Sequence, residues 1–535
     1  GMDVSGDTPG PRRDLADPQV RVVAFAEDRD GELLLLDHGN GTIQELVRND
    51  ATTARVAFPT RLSQTGLFHD TAAHVPASGV VPFEVVTEAW ADHATAERLV
   101  GVPGDAAVTL HPAPRLAEGS MFARQLDVPE GTVLAKTFAL EMTAGEPASR
   151  RRIETQLLHH DGLAWRGYTY AWNDDQTDAE LVAAAGTSRE LVIADADAPG
   201  GRRLQTWRFL GRSECLRCHN PWAETALAFN VAQLDRDVSR GESRISQLVD
   251  FRQIGLLVDA PTPDGEKDAA PPPARPRLAA AWDPAAPLAD RGRAYLHVNC
   301  GSCHRFGGGG TADIQLNHEV SLEASRTLDV APGQGGFGIP NPRIIAPGDP
   351  SRSTLFYRLA SAGAGHMPPI GPSLVDHRGV TLIYDWIRHL GPPQSFDRDI
   401  ASIVAGTEPP ADTVGGDDAI GRLLGSMPGA LELAHAVRQQ RLPAAARDAV
   451  LEAAASHPEP AVAAVFEPFL APGRLEPRLG TAIDPEVILS LEGDPSRGRW
   501  LYLHSASLQC RSCHAVEDGD RNLGPSLTDI GRRLD

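Results

Sequence analysis

The chain has 535 residues, with 50 Lys plus Arg against 71 Asp plus Glu, giving a formal net charge of −21. That excess argues against nucleic acid or an anionic membrane face as the main partner, because phosphates would be repelled. Hydrophobic residues make up 41%, enough for several cores, yet no apolar run reaches the roughly 18 residues that a membrane-spanning helix needs.

Residues 1–57 hold three short β segments, Arg21–Ala26, Glu32–Asp37 and Thr42–Val47. They are joined by Asp28-Arg-Asp-Gly31 and His38-Gly-Asn-Gly41, whose residues suit tight turns. Asp28 and Asp30 are turn residues, since a calcium loop would close on a glutamate that is missing here. Residues 58–200 read as a β-rich, sandwich-like domain: Thr132–Met142 and Arg152–Leu158 partly alternate, and Trp165–Trp172 is aromatic-rich. Trp165, Tyr168, Tyr170 and Trp172 are expected to pack the sandwich; the alternative is a platform that stacks a sugar or a flat cofactor edge.

Residues 201–258 contain Cys215-Leu-Arg-Cys218-His219, and the Pro-rich stretch 259–277 reads as a stiff linker. Residues 278–392 read as a complete small helical domain. A helix over Arg291–Asn299 leads into Cys300-Gly-Ser-Cys303-His304, followed by the glycine loop Gly307–Gly310. Asp349 or Ser351 can cap a helix around Leu355–Leu359. The turn Gly365-His-Met-Pro-Pro369 precedes a closing helix over Val380–Leu390. Residues 393–485 are rich in Ala and Leu at helical spacing, as in Ile420–Leu424 and Ala444–Leu451, and read as a helical spacer. In residues 486–535, Arg497–His504 parallels Arg291–His297 and leads to Cys510-Arg-Ser-Cys513-His514. This last domain reads as truncated, so the chain is expected to be a piece of a longer protein.

All six cysteines therefore fall in three copies of one CxxCH pattern. On a helix, positions i, i+3 and i+4 share a face, so two thiols and an imidazole point the same way. That arrangement lets the thiols add to the two vinyl groups of a haem while the histidine ligates its iron, the c-type attachment signature. The expected cofactor is haem c at three sites, with His219, His304 and His514 as proximal ligands. Zinc or a redox CxxC is the competing use of such cysteines. Met367, on a proline-rich turn, is the expected distal ligand of the second haem, with His366 as its neighbouring rival. The first haem takes its sixth ligand from His159, His160, Met121 or Met142, or leaves that position open.

Through these motifs the chain resembles a family of exported bacterial multihaem c-type cytochromes with a β-rich N-terminal domain. The resemblance covers residues 58–391 and rests on Trp165–Ala179, Glu214–His219, Tyr295–Cys300 and His366–Pro369. Residues 416–535 are similar to the helical segment and haem-binding domain of planctomycete-type cytochromes. Residues 21–47 resemble the last blade of a six-bladed sugar-dehydrogenase propeller. These resemblances imply periplasmic or otherwise exported electron transfer from an upstream dehydrogenase domain to a redox acceptor. The fold class expected is multidomain α+β: a β-rich sandwich-like domain, all-α cytochrome c domains and a helical spacer. Two other functions are kept in view: a peroxidase-like enzyme or sensor with an open first haem, and a carbohydrate-binding β domain with appended cytochromes.

Overall fold

A computed structural model describes residues 2–12, 22–47, 58–116, 122–261, 277–405, 419–470 and 492–504, with short breaks inside some spans, and three residues beyond them. Most of the linker 259–277 and the third motif, Cys510, Cys513 and His514, lie outside the described residues.

The described chain is a mixture of antiparallel β-sheets and helices, as its α+β patterning anticipates. Strands β1 (Val22–Glu27), β2 (Leu33–Asp37) and β3 (Thr42–Glu45) form one antiparallel sheet in that order. Their first turn is closed by Asp28, whose carboxylate accepts from the Asp30 and Glu32 amides at 2.8 and 2.9 Å.

The β-rich unit is built from β4 (Val80–Pro82), β5 (Thr95–Gly101), β6 (Val108–Leu116), β7 (Ala123–Asp127), β8 (Val133–Glu141), β9 (Arg150–His160), β10 (Trp165–Trp172), β11 (Ala179–Leu181), β12 (Thr187–Ala194) and β13 (Arg202–Phe209). Its main sheet runs β11-β10-β9-β8-β5-β4, all antiparallel. The period-2 pattern of β8 and β9 places Phe138, Leu140 and Ile153 on one face. There they pack with Leu191, Trp207 and Phe209 of the β12–β13 hairpin. Farther along the same face Leu134 and Leu158 join Phe83, Phe229 and Phe251, while Ala135, Leu157 and Tyr170 pack on the other face.

That hairpin runs across the boundary the sequence placed between residues 200 and 201. Strand β14 (Leu257–Asp259) then pairs in parallel with β6. The segment carrying the first CxxCH is thus continuous with the β-rich unit.

The aromatic strand β10 is mostly interior. Tyr170 and Trp172 are fully buried, and their polar atoms are satisfied inside, Tyr170 Oη on Pro59 O at 2.7 Å and Trp172 Nε1 on Thr155 Oγ1 at 2.9 Å. These two rings present no exposed face on which a sugar could stack.

In the middle unit, α1 (Arg212–Cys218) carries the first motif and α2 (Leu288–Cys300) ends at the second. Asp349 caps a short 3₁₀ turn before α3 (Thr354–Ala360), and Asp376 caps the closing helix α4 (His377–Arg388) through the Gly379 amide at 2.9 Å. Helices α2 and α4 cross closely because glycines sit at the contact. A Cβ on Gly379 would lie 2.2 Å from the Tyr295 hydroxyl, and one on Gly292 would lie 2.9 Å from Trp386. Gly379→Ala should therefore cost about 2 kcal/mol by overpacking. Gly333→Ala, where a Cβ meets nothing within 4 Å, should leave the urea midpoint unchanged; equal midpoints for the two variants would refute the close crossing.

The helices read from sequence as a spacer are α5 (Asp397–Ala405), α6 (Ala419–Leu424), α7 (Met427–Arg438), α8 (Ala444–Ala455) and α9 (Pro460–Phe466). They do more than separate. Leu431, Val450 and Phe466 share one continuous apolar core with Tyr295, Phe356 and Trp386 of the middle unit. Tyr384 Oη donates to Glu432 across that joint at 2.7 Å. No helix among the described residues is long and apolar enough to cross a membrane.

Candidate functional site

Helix α1 begins where Gly211 leaves the β13 strand, and the Glu214 carboxylate accepts from the Gly211 amide at 2.9 Å. This first-turn acid caps the helix and complements its dipole. One turn later Cys215 rests on Gly167 of β10, where a Cβ would come within 3.1 Å of the sulfur. Only glycine leaves room for the thiol there. The next residue after the helix, His219, points Nδ1 at Thr225 O, 2.6 Å away. Donation to that carbonyl fixes the tautomer and leaves the Nε2 lone pair for a metal, the usual preparation of a ligating histidine. Burial holds the His219 pKa below its ordinary value, so the ring is neutral as a ligand must be.

The second motif continues the last turn of α2. The amides of Cys303 and His304 both bond to Cys300 O, at 3.1 and 2.9 Å. His304 Nδ1 is buried with no hydrogen-bond partner among the described residues. Burial first, and the Arg358 guanidinium second, lower the His304 pKa. Arg358 also joins this histidine to the methionine turn: its carbonyl accepts from Met367 N at 3.0 Å, and its Nη1 donates to Gly365 O at 3.0 Å. His366, the rival ligand, has Nδ1 2.7 Å from Ser361 O.

The two motifs meet, although 82 residues separate Asn220 from Ser302. Asn220 is buried and donates to Ser302 O at 2.9 Å. Arg305 Nη1 donates to Trp222 O at 2.8 Å, and Cys303 Sγ lies 3.8 Å from Arg217 O. The thiols of Cys218 and Cys303 share a hydrogen bond, which is the main reason that the Cys218 pKa is raised. Trp222 closes the seam, edge-on to Phe122 at 4.9 Å and to Phe306 at 5.0 Å.

Beside this seam lies a cavity of about 190 Å³. Cys215 and His219 form one wall, Leu134, Leu158 and Tyr168 of the main sheet another, and His297 and Arg305 a third. Three cations line it, Arg98, Lys136 and Arg305. Arg98 is paired with Glu88, whereas burial brings the Lys136 pKa down to about 7. Glu154 lies in the same sheet, buried, accepting from Trp207 Nε1 at 2.8 Å, and its carboxyl is pushed up to about 7 by burial.

Neither competing use is favoured by the surroundings of the thiols. Burial pushes the Cys215 and Cys300 thiols up to about 12, whereas a reactive dithiol needs a depressed pKa. Among the described residues the four sulfurs form no group close enough to share one ion. The site thus combines a half-buried thiol pair, a neutral histidine with a prepared ring nitrogen, and a largely apolar cavity with cationic residues in its wall.

The sixth-ligand candidates for the first motif fare differently. Met142 is packed in the core under β8, His159 lies by Phe58 and His160 by Trp165. None of the three lines the cavity. Met121 lies outside the described residues, as does the third motif. Sequence reasoning missed Arg98, Lys136 and His297 as cavity residues. A lone lysine in the apolar run Val133–Leu140 was the one available signal. No family model, curated protein or solved structure matches the chain.

Proposed function

We propose that this protein is an exported multihaem c-type cytochrome that passes electrons from a dehydrogenase domain to a downstream acceptor. The observation that carries this reading is the packing of the Cys215–His219 and Cys300–His304 segments directly on each other. Haems tethered at both segments would be held near each other, as a relay requires. Haem supplies one-electron redox chemistry; the chain supplies the rest. Cys215, Cys218, Cys300 and Cys303 are the tethers, and His219 and His304 the proximal ligands. Thr225 O orients His219. Met367 would supply a thioether ligand to the second haem, from a turn held by Arg358. Arg98, Lys136 and Arg305 in the cavity wall would face the carboxylates of the first haem, whose charge would favour the protonated form of Lys136. Cys510, Cys513 and His514 form the third site on the strength of their motif alone.

The test is a haem count by the pyridine haemochrome method on full chain matured with a complete haem lyase system in a bacterial periplasm. Three haems per chain are expected, one being lost in Cys215→Ala/Cys218→Ala and one in Cys300→Ala/Cys303→Ala. A colourless chain, or a count that the paired variants leave unchanged, rejects the reading. A second reading has one observation behind it: none of Met142, His159 and His160 reaches the cavity. An open first haem would bind small ligands, as a peroxidase or sensor does. Carbon monoxide should then change the reduced spectrum, and Cys215→Ala/Cys218→Ala should abolish the change; a spectrum indifferent to carbon monoxide excludes it.

A further inference from the structure

Beside the second cysteine pair lies a set of ligating side chains that the haem reading does not use. His297 is one turn before Cys300 in α2, and His318 and Glu319 lie on the loop that follows His304. One ligand atom from each falls within 4.8 Å of the other two, and among the described residues this is the one group of three or more such side chains. The two imidazoles meet edge to face with centroids 4.6 Å apart. Glu319 Oε2 stands 3.5 Å from His318 Nδ1, and Asn317 Nδ2 holds the same oxygen at 3.0 Å.

The surroundings preorganise this arrangement. Arg293 donates to His318 O at 3.1 Å and to Val320 O, clamping the loop onto α2. Leu316 N donates to His304 O at 2.7 Å, fixing the near end of the loop. His318 is 8% exposed and Glu319 36%, so a buried imidazole sits behind a carboxylate that solvent reaches. Arg293 and Arg305 bring positive charge close, but both guanidiniums are directed at carbonyls, Arg305 at Gly301 O (2.6 Å) and Trp222 O (2.8 Å). Glu319 and Glu323 face Arg293 in turn.

We propose that His297, His318 and Glu319 bind one divalent transition-metal cation. Two imidazoles and one carboxylate select zinc, iron(II) or cobalt over calcium or magnesium, which take oxygen ligands. His297 Nδ1 now accepts from His318 N at 3.3 Å, a long contact that a cation can replace. The site uses no cysteine and shares only His297 with the cavity of the first cysteine pair.

The experiment is zinc titration of chelator-treated full chain by calorimetry, with metal content measured after dialysis and thermal unfolding followed with and without zinc. One equivalent of zinc per chain is expected, raising the unfolding temperature. His318→Ala should weaken binding at least tenfold, and His318→Ala/Glu319→Ala should abolish both binding and the thermal shift while unfolding cooperatively without zinc. Equal zinc affinity in the double variant, or no saturable equivalent in the native chain, overturns the proposal. So does a haem-loaded protein that binds no zinc and loses its low-spin spectrum in His297→Ala, since that imidazole would then belong to the first haem.

Discussion

Asp92→Ala is expected to destabilise the protein by about 3 kcal/mol and to loosen the turn that carries Met367. Asp92 is buried, and its carboxylate accepts from Ser373 N at 3.0 and 2.8 Å, Ser373 Oγ at 3.1 Å and Leu374 N at 2.9 Å. These bonds tie the β-rich unit to the loop just beyond Met367. Trp90 adds two more, its amide on Asn299 Oδ1 and its indole on Leu374 O, both at 2.8 Å. Burial outweighs these donors and keeps the Asp92 pKa above the ordinary carboxylate value. Removing the side chain leaves two backbone amides and a hydroxyl without an acceptor in a buried site, the costly half of breaking a buried hydrogen bond. Asp92→Asn keeps one carbonyl oxygen and should lose about half as much. Urea unfolding measures both. In haem-loaded protein the methionine-to-iron absorption should weaken in Asp92→Ala and persist in Asp92→Asn; an unaltered urea midpoint for the alanine variant would remove Asp92 as the clasp.

Local chemistry was legible in the sequence, and long-range contact was not. Helix α4 follows from an Asp cap at Asp376 and the apolar spacing of Val380, Ile383 and Ile387, so its start was displaced by only three residues from the expected Val380. Strand β10 was readable from its β-branched and aromatic residues. The hairpin that crosses residue 200 was hidden because Pro199, Gly200 and Gly201, read as a domain boundary, form its connecting turn. The packing of the helical stack on the middle unit was hidden for a different reason. Amphipathic spacing says that Leu431 and Val450 need a partner surface, but not that Phe356 and Trp386 provide it. The same limit applies to the site. CxxCH spacing names the cysteines and histidines, while the contact of Asn220 with Ser302 and the turn of His219 towards Thr225 O depend on the tertiary fold.

The joint between the middle unit and the helical stack should be acid-labile through His435. Its ring is 4% exposed and stacks on Tyr384 at 3.6 Å and 13°, and its Nδ1 is buried without a hydrogen-bond partner among the described residues. Burial, then Arg438, Arg441 and Arg388, bring its pKa down to about 3. In the unfolded chain the ring titrates near its ordinary 6.5, so between these values the unfolded state binds a proton that the folded state refuses. Stability is therefore fully present above pH 6.5 and is lost as the pH falls towards 3. Between pH 7 and pH 4 the loss attributable to this ring is about 3 kcal/mol. His377, whose Nδ1 accepts from Arg438 at 3.0 Å, is brought down to about 4 by burial and by that arginine, and it steepens the same trend. His435→Phe keeps an aromatic ring against Tyr384 and removes the titrating nitrogen. Urea midpoints for the helical signal should fall less between pH 7 and pH 4 in this variant than in the native chain. Parallel pH profiles would mean that His435 is not the group that makes the joint acid-labile.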